Sequence, residues 1–340
     1  MEEMINLEDT QRAWPICHPT DVAAARRWGL RLSQSLGFNE TMSGRVSLVI
    51  TEAATNILKH ATEGQLFLTR VRNGESNGIE ILALDNGPGI QNLAYSLNDG
   101  VTTTSTPGSG LGALRRLSDS FDAYSAAGKG SAFYMCLWAA EAGYSRNGFE
   151  IGTVCVPMIH EEVCGDGWAV ASDGGFATFL LADGLGHGMH AAHASRTARE
   201  LLISRAGLQP QALMEVAHSE LRGTRGAAIA VAQTQPNSEQ LDFAGIGNIS
   251  ACVVNAISRK QLVSHNGIVG HNMRKVQQFT VPFPPGSLYI AHSDGISTRW
   301  DINAYPGLYL CHPALIAGII FRDFVRGRDD ASILVARHRL

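Results

Sequence analysis

Apolar positions recur at helical spacing twice near the start of the chain and then give way to runs of strand length. The stretch "TDVAAARRWGLRLSQSLG", 20–37, opens on the cap candidate Thr20 and stops at Gly37, which predicts a helix. A second helix is predicted over "SGRVSLVITEAATNILKHATEG", 43–64, from its apolar stripe and the glycine that ends it. "QLFLTRVRN" and "GIEILALDNG" then read as two strands joined by the turn-rich "NGESNG". A loop rich in Gly, Thr, Ser and Pro, "NDGVTTTSTPGSGLG", leads to a short helix "ALRRLSDS" and two further strands, "FDAYSAA" and "SAFYMCLWAA". The polar "EAGYSRNGF" reads as a linker.

Beyond residue 150 strand signals dominate: "FEIGTVCVP", "GWAVASD", "FATFLLAD", "AAIAVAQT", "QLDFAGIG", "SACVVNA", "SLYIAHSD" and "ASILVARH". Helical spacing returns only in "MHAAHASRTARELLIS", "PQALMEVAHSELRG" and "PALIAGIIFRDFV". Many strands with a few helices predict two sheets flanked by helices, an α+β fold. The expected division is 1–140, a linker at 141–149, and 150–340.

Composition narrows the function. With 340 residues, 45% hydrophobic and 17% charged, the chain can fill two ordinary cores. A net charge of -4 gives no basic footprint, which argues against nucleic acid. Apolar runs such as "AFYMCLWAA" are too short to span a membrane, and the acidic N-terminus lacks a secretory pattern. A cytoplasmic location is expected. The six cysteines form no C-x-x-C pair and are expected to be thiols. Cys155 and Cys164 flank a predicted hairpin and are read as packing neighbours, not as a disulfide.

Three short motifs in the first half carry candidate chemistry. Glu52 and Asn56 are four apart in a predicted helix and share a face, so both can reach one ligand. Asn56 offers an oxygen suited to Mg²⁺, and Glu52 can orient or activate a nucleophile. In "LDNGPGI" a strand runs into Asp85, a carboxylate placed to accept from an exocyclic amine, beside the turn glycines Gly87 and Gly89. In "PGSGLG" the residues Gly108, Gly110, Leu111 and Gly112 lead into a helix, where backbone amides can bind phosphate. There is no P-loop motif in the chain.

Each motif is weak alone, but "TEAATNILKHA", "LDNGPGI" and "GSGLGALRRLSD" together resemble the N and glycine boxes of the GHKL ATPase family, in its RsbT/SpoIIAB-like anti-sigma-factor serine kinase branch. The likeness covers roughly 16–138, with Gly130-Ser131 standing where that family usually has Gly-Thr. It implies a Bergerat-type ATP-binding α/β sandwich that binds ATP with Mg²⁺. In it Asn56 would sit on the magnesium, Asp85 on adenine, the loop from Gly108 to Gly112 on phosphates, and Glu52 would be the catalytic base.

The second half holds four aspartates at the edges of apolar runs: Asp166 in "VCGDGWAV", Asp183 in "LLADGLGHG", Asp294 in "IAHSDGIS" and Asp329 in "GRDDASILV". Converging carboxylates of this kind make an oxygen-rich pocket for hard divalent cations, which can activate water and clamp a phosphoryl group. The three nearby histidines offer zinc as the rival. At about 100° per helical residue, however, His187 and His193 point some 120° apart, too far to converge on one tetrahedral ion. His187, between two glycines, is expected to precede the helix, and His190 and His193 to lie on its surface or core.

"GDGW", "ADGLGHG", "FAGIGNISA", "SDGIS" and "DDASILV" closely resemble the SpoIIE/RsbX-like branch of the PPM serine/threonine phosphatases, over about 150–337. The likeness implies an α-β-β-α sandwich with two Mn²⁺ or Mg²⁺ ions. Asp183 would bridge them, the Gly184 carbonyl would bind one, and Asp294 and Asp329 would complete the second. Asp166 would hold metal-bound water or a further ion, Asp330 would be the neighbour of the ligand Asp329, and Gly245, Gly247 and Asn248 would form a structural turn near the site.

Together the two likenesses imply a bifunctional partner-switching regulator acting on a STAS-domain anti-sigma antagonist. The alternatives are a phosphatase whose ATP domain senses nucleotide or docks partners, and a regulator that only binds. The first family often pairs through its sheet or helices, so a homodimer is also expected.

Overall fold

The computed structural model describes the backbone of residues 4–5 and residues 11–61, 63–73, 76–97, 110–140, 148–172, 175–235 and 238–339. The elements in chain order begin with strand β1 (Met4–Ile5), β2 (Arg12–Pro15), helix α1 (Pro19–Ser35) and α2 (Glu40–His60). They continue with β3 (Gly64–Asn73), β4 (Ser76–Asp85), α3 (Leu93–Ser96), α4 (Leu111–Leu117), β5 (Ser120–Ser125) and β6 (Ser131–Trp138). The remaining strands are β7 (Phe149–Val156), β8 (Asp166–Ser172), β9 (Ala177–Gly184), β10 (Ala227–Thr234), β11 (Gln240–Ile246), β12 (Ser250–Val254), β13 (Arg259–Leu262), β14 (Phe279–Pro282), β15 (Leu288–His292) and β16 (Ala331–His338). The remaining helices are α5 (Met189–Ser204), α6 (Pro210–Glu220) and α7 (Pro313–Phe324).

The chain forms two compact units that are not contiguous in sequence. One takes Leu7–Gly143 and Asp301–Ile319, and the other takes Met1–Asn6, Tyr144–Trp300 and Ile320–Leu340. Against the expected 1–140, linker 141–149 and 150–340, residues 301–319, far along the sequence, also group with the first unit.

In that unit five antiparallel strands run in the order β2-β3-β4-β6-β5. The two long helices start earlier than the predicted 20 and 43. α1 begins at Pro19 because the Asp21 carboxylate accepts from the backbone N–H of Cys17 and His18, at 2.9 and 2.8 Å. α2 begins at Glu40, where Asn39 caps the first turn through Met42 N–H at 2.8 Å. Val46, Val49, Ile50, Ala53 and Ile57 of α2 are buried in one core with Leu66, Leu68, Ile79, Ile81, Phe133 and Met135, the residues of one sheet face.

Alternation would leave the opposite face open, yet Phe67, Leu82, Leu84 and Tyr134 on it are buried too. Residues 301–319 lie on that face. The His312 ring stacks on Tyr134 with centroids 3.9 Å apart, and its backbone N–H donates to Asp122 at 2.6 Å. Lys129 donates to the Ala304 carbonyl at 2.6 Å.

The other unit has two antiparallel sheets, β1-β8-β9-β10-β11-β14 and β13-β12-β15-β16-β7. Phe179 of the first sheet contacts Phe149 and Tyr289 of the second, with ring centroids 5.5 and 5.8 Å apart. α5 and α6 bury Ala194, Ala198, Leu202, Leu213 and Ala217 in a core with Leu180, Ile229 and Val231. The fold is the mixed α/β arrangement expected. Among the described residues no helix is long and apolar enough to cross a membrane.

Candidate active sites

In the first unit a cavity of about 420 Å³ opens between α2, the turn after β4 and the start of α4. Of the motif residues, Asn56, Asp85, Gly89, Gly110 and Leu111 line it. Gly108 lies outside the described residues. Glu52, Gly87 and Gly112 do not line the cavity: Glu52 is half-buried one turn before Asn56, Gly112 is buried within α4, and Gly87 acts through its amide.

Asp85 ends β4 with one oxygen, Oδ1, accepting from Gly87 N–H at 2.8 Å and Ser131 N–H at 3.2 Å. Two backbone donors fix the carboxylate in place at the pocket wall. Gly89 has φ +73°, and a Cβ there would sit 2.1 Å from the Ala126 carbonyl oxygen, so the turn admits only glycine. Asn56 Nδ2 is buried with no hydrogen-bond partner, an orphaned amide at the cavity edge that a bound group can satisfy. Sequence reasoning missed Lys59, His60, Ser131 and Phe133 as lining residues. Lys59 and His60 lie three and four positions beyond Asn56, so helical spacing could have found them.

In the second unit the strand ladder brings Asp166 directly opposite Asp183 on β8 and β9. Asp166 is buried and accepts from the Ser332 hydroxyl at 2.7 Å. Burial pushes its carboxyl up to about 7, against the pull of the Ser293 and Ser332 hydroxyls. Asp183 is pushed up to about 9, first by burial and then by the charges of Asp166, Asp294, Asp329 and Asp330. The neighbouring charges that raise it are all carboxylates.

Asp294 accepts from Asn248 Nδ2 at 2.7 Å, which ties the "AGIGN" turn to the site. Asp329 is exposed, and its Oδ1 accepts from the Asp330 amide at 2.9 Å. Among the described residues, no three His, Cys, Asp or Glu groups already close on one ion point. The structure pairs Asp166 with Asp183 and sets Asp294 and Asp329 within electrostatic reach, short of a closed shell. The donor set is all oxygen and anionic, the kind that fits Mg²⁺ or Mn²⁺.

Asp330 is the residue that sequence reasoning undervalued. It is buried, and its carboxylate accepts from Met158 N–H at 2.7 Å and Gly165 N–H at 2.8 Å. It thereby clamps both ends of the loop between β7 and β8. Its place two positions before buried Ser332 was the available signal.

Gly184 is glycine for a packing reason: a Cβ would meet the Ala191 carbonyl oxygen of α5 at 2.1 Å. His187 precedes α5 as expected, with its Nδ1 2.6 Å from Glu161 Oε1, and His190 and His193 are exposed on the helix.

A nucleotide-sized pocket beside a capped sheet, and a carboxylate-lined double sheet, define two classes: a GHKL-type ATP-binding unit and a PPM-type phosphatase unit. Comparison with known families agrees. Residues 17–137 match the histidine kinase-like ATPase domain, and residues 173–339 match Stage II sporulation protein E. The serine/threonine-protein kinase RsbT of Bacillus subtilis (strain 168) is 35% identical over 118 residues, covering 35% of this chain and 89% of RsbT. The phosphoserine phosphatase RsbX of the same organism is 22% identical over 147 residues, 43% of this chain and 73% of RsbX. A chain from a structure of the bacterial stressosome, described as a modular system adapted to control secondary messenger signaling, is 28% identical with a TM-score of 0.53. That match covers 56% of this chain and 99% of the other. The chain belongs to the RsbT-like histidine kinase-like ATPase family through its first part and carries a SpoIIE-type PPM phosphatase domain in its second.

Proposed function

We propose that the chain is a partner-switching regulator whose second unit removes phosphate from a phosphoserine or phosphothreonine of a STAS-domain anti-sigma antagonist, and whose first unit phosphorylates a protein of that kind with ATP and Mg²⁺. The observation that carries the phosphatase reading is the pairing of buried Asp166 with Asp183, with the carboxylates of Asp294, Asp329 and Asp330 within electrostatic reach. Bound cations would relieve the repulsion between these carboxylates. Two Mn²⁺ or Mg²⁺ ions, held by Asp183, the Gly184 carbonyl, Asp294 and Asp329 with Asp166 beside them, would supply the Lewis acidity that activates water and neutralises the phosphoryl group. The chain's own residues then have defined tasks. Ser332 holds Asp166 in one rotamer, Asn248 orients Asp294, and Asp330 fixes the loop that carries Gly165.

In the first unit Asp85 would offer its carboxylate to an exocyclic amine, Asn56 would hold the magnesium, and Gly110 with Leu111 would present amides to phosphates from the start of α4. Glu52 is the candidate base for a serine hydroxyl. The family likeness supports phosphotransfer, while the position of Glu52 outside the cavity lining favours a second reading, in which the first unit binds nucleotide as a sensor or docking module.

One experiment separates the readings. Full-length protein carrying Asp183→Asn, which blocks phosphate removal, is incubated with labelled ATP, Mg²⁺ and a STAS-domain protein, and the products are weighed by mass spectrometry. Added phosphate that disappears with a further Glu52→Ala supports the kinase. ATP binding with no transfer selects the sensor reading. Retention of Mn²⁺-dependent dephosphorylation by Asp183→Asn would overturn the metal-site assignment.

A further inference from the structure

The loop between β7 and β8 holds two cysteines at its base. Cys155 lies near the end of β7, and Cys164 lies two residues before Asp166. Their sulfurs are 3.6 Å apart, and both residues are half-buried, so a small oxidant can reach them. Both are thiols in the structure.

The surroundings are those of the acidic centre. Cys155 Sγ is 3.7 Å from the Asp166 carbonyl oxygen. Cys155 is the ladder partner of Ser332, whose hydroxyl donates to the Asp166 carboxylate. Gly165, next to Cys164, donates its N–H to Asp330 and accepts from Gly184 N–H at 3.2 Å. The loop is also held at its tip, where Glu161 meets His187.

We propose that Cys155 and Cys164 form a reversible, peroxide-driven disulfide that switches off the phosphatase centre. The effect on activity rests on the phosphatase reading above; the bond itself does not. One thiol gives two electrons to hydrogen peroxide, forming a sulfenic acid and releasing water. The sulfur of the partner then displaces the hydroxyl, forming the S–S bond and releasing a second water. In sum, two thiols and one peroxide give one disulfide and two waters.

Geometry sets the consequence. A disulfide needs its sulfurs about 2.05 Å apart, so they must close by roughly 1.5 Å. β7 is held along its length by the β16 ladder, from Phe149 opposite His338 to Val156 opposite Ala331. Rotation of the side chains takes up part of the closure, and the rest falls on the loop side, at Cys164 and Gly165. Gly165 carries the hydrogen bonds to Asp330 and Gly184, and Asp166 follows it. A misplacement of about 1 Å costs on the order of a hundredfold in rate when it moves catalytic groups. A loss of at least about tenfold is expected here, because part of the closure is absorbed by rotation.

The test uses the full-length protein loaded with Mn²⁺ and exposed to graded hydrogen peroxide. Peptide mass spectrometry follows a 155–164 cross-link, lighter by two hydrogens, and p-nitrophenyl phosphate hydrolysis follows the activity. Expected results are cross-link and activity loss that rise together and reverse with dithiothreitol. Cys155→Ser and Cys164→Ser should each keep the activity of the reduced protein and resist peroxide. Cys17→Ser, at the exposed cysteine, should remain sensitive. Absence of the 155–164 cross-link, or a full cross-link with unchanged activity, would overturn the proposal. Reduced protein with no Mn²⁺-dependent activity would instead sink the phosphatase reading, while the cross-link would still be scored by mass.

Discussion

The two candidate sites each depend on an aspartate at the end of a strand, and they treat it in opposite ways. Asp85 in the nucleotide pocket is met by two backbone amides, so its charge is provided for by the fold itself. Asp183 in the acidic centre faces Asp166, Asp294, Asp329 and Asp330, and burial with their charge pushes it up to about 9. The first site is assembled before its ligand arrives. The second gathers carboxylates whose repulsion a bound cation would relieve without protonating them. The two candidate sites thus differ in how the charge at the strand end is met: by backbone hydrogen bonds in one, while in the other it is crowded by carboxylates that a bound cation would neutralise.

The comparison breaks most visibly at Asp183. Asp183→Asn removes the carboxylate at the centre of the cluster, and Mn²⁺-dependent hydrolysis should fall by on the order of a hundredfold or more. Titration calorimetry should show weakened Mn²⁺ binding in the same variant. Nucleotide binding at the first unit should be unchanged. If Asp183→Asn kept full activity, the acidic cluster would be a structural feature and the contrast between the sites would collapse.

A smaller effect is expected at Asp85. Asp85→Asn keeps the shape and one oxygen acceptor but loses the charge that a base amine would meet. A charge-assisted hydrogen bond contributes about 1.5–3 kcal/mol, so ATP affinity should drop roughly tenfold to a hundredfold. Fluorescent-nucleotide titration measures this, with phosphatase activity as the internal control. An unchanged affinity would remove Asp85 from the adenine-binding role.

Much of this was legible in the sequence, and what was missed has physical causes that differ from region to region. Eight strands predicted in the second half are present, and "MHAAHASRTARELLIS" coincides with α5. The strands that escaped notice, β1, β2, β13 and β14, all lie at sheet edges. β13 reads "RKQL" with three exposed positions, and β14 ends in proline. Edge strands are paired on one side only, and polar residues or proline protect the other, so they carry little apolar pattern. The role of 301–319 was hidden for a different reason. Local periodicity shows that α7 exists, but not that Gly318 fits between Leu82 and Leu84 on a sheet more than two hundred residues earlier. Within the sites, Asn248 and Asp330 were placed near the acidic centre, but their hydrogen-bond partners and those of Ser332 were not readable, because they lie far away in sequence.

The smallest expected effect tests whether raised carboxyls are confined to the acidic centre. Glu80, on the sheet face covered by 301–319, accepts from the Tyr134 hydroxyl at 3.0 Å, and burial pushes it up to about 7. A carboxyl raised above its unfolded value binds an extra proton in the native state. Its contribution to stability is therefore full below pH 4.5 and is lost as pH rises through about 7. Asp166 and Asp183 have the same sign in metal-free protein, with losses around 7 and 9. The two regions separate on adding Mn²⁺, which should restore the stability lost at the acidic centre and leave that lost at Glu80 untouched. Glu80→Gln keeps an acceptor for Tyr134 without the charge. In Mn²⁺-loaded protein it should match the parent at pH 5 and exceed it by roughly 1 kcal/mol at pH 8, a figure discounted because Glu80 is part-exposed. Thermal melts at the two pH values decide it. Equal melts at pH 8 would mean that Glu80 ionises freely, and that forced protonation belongs to the metal site alone.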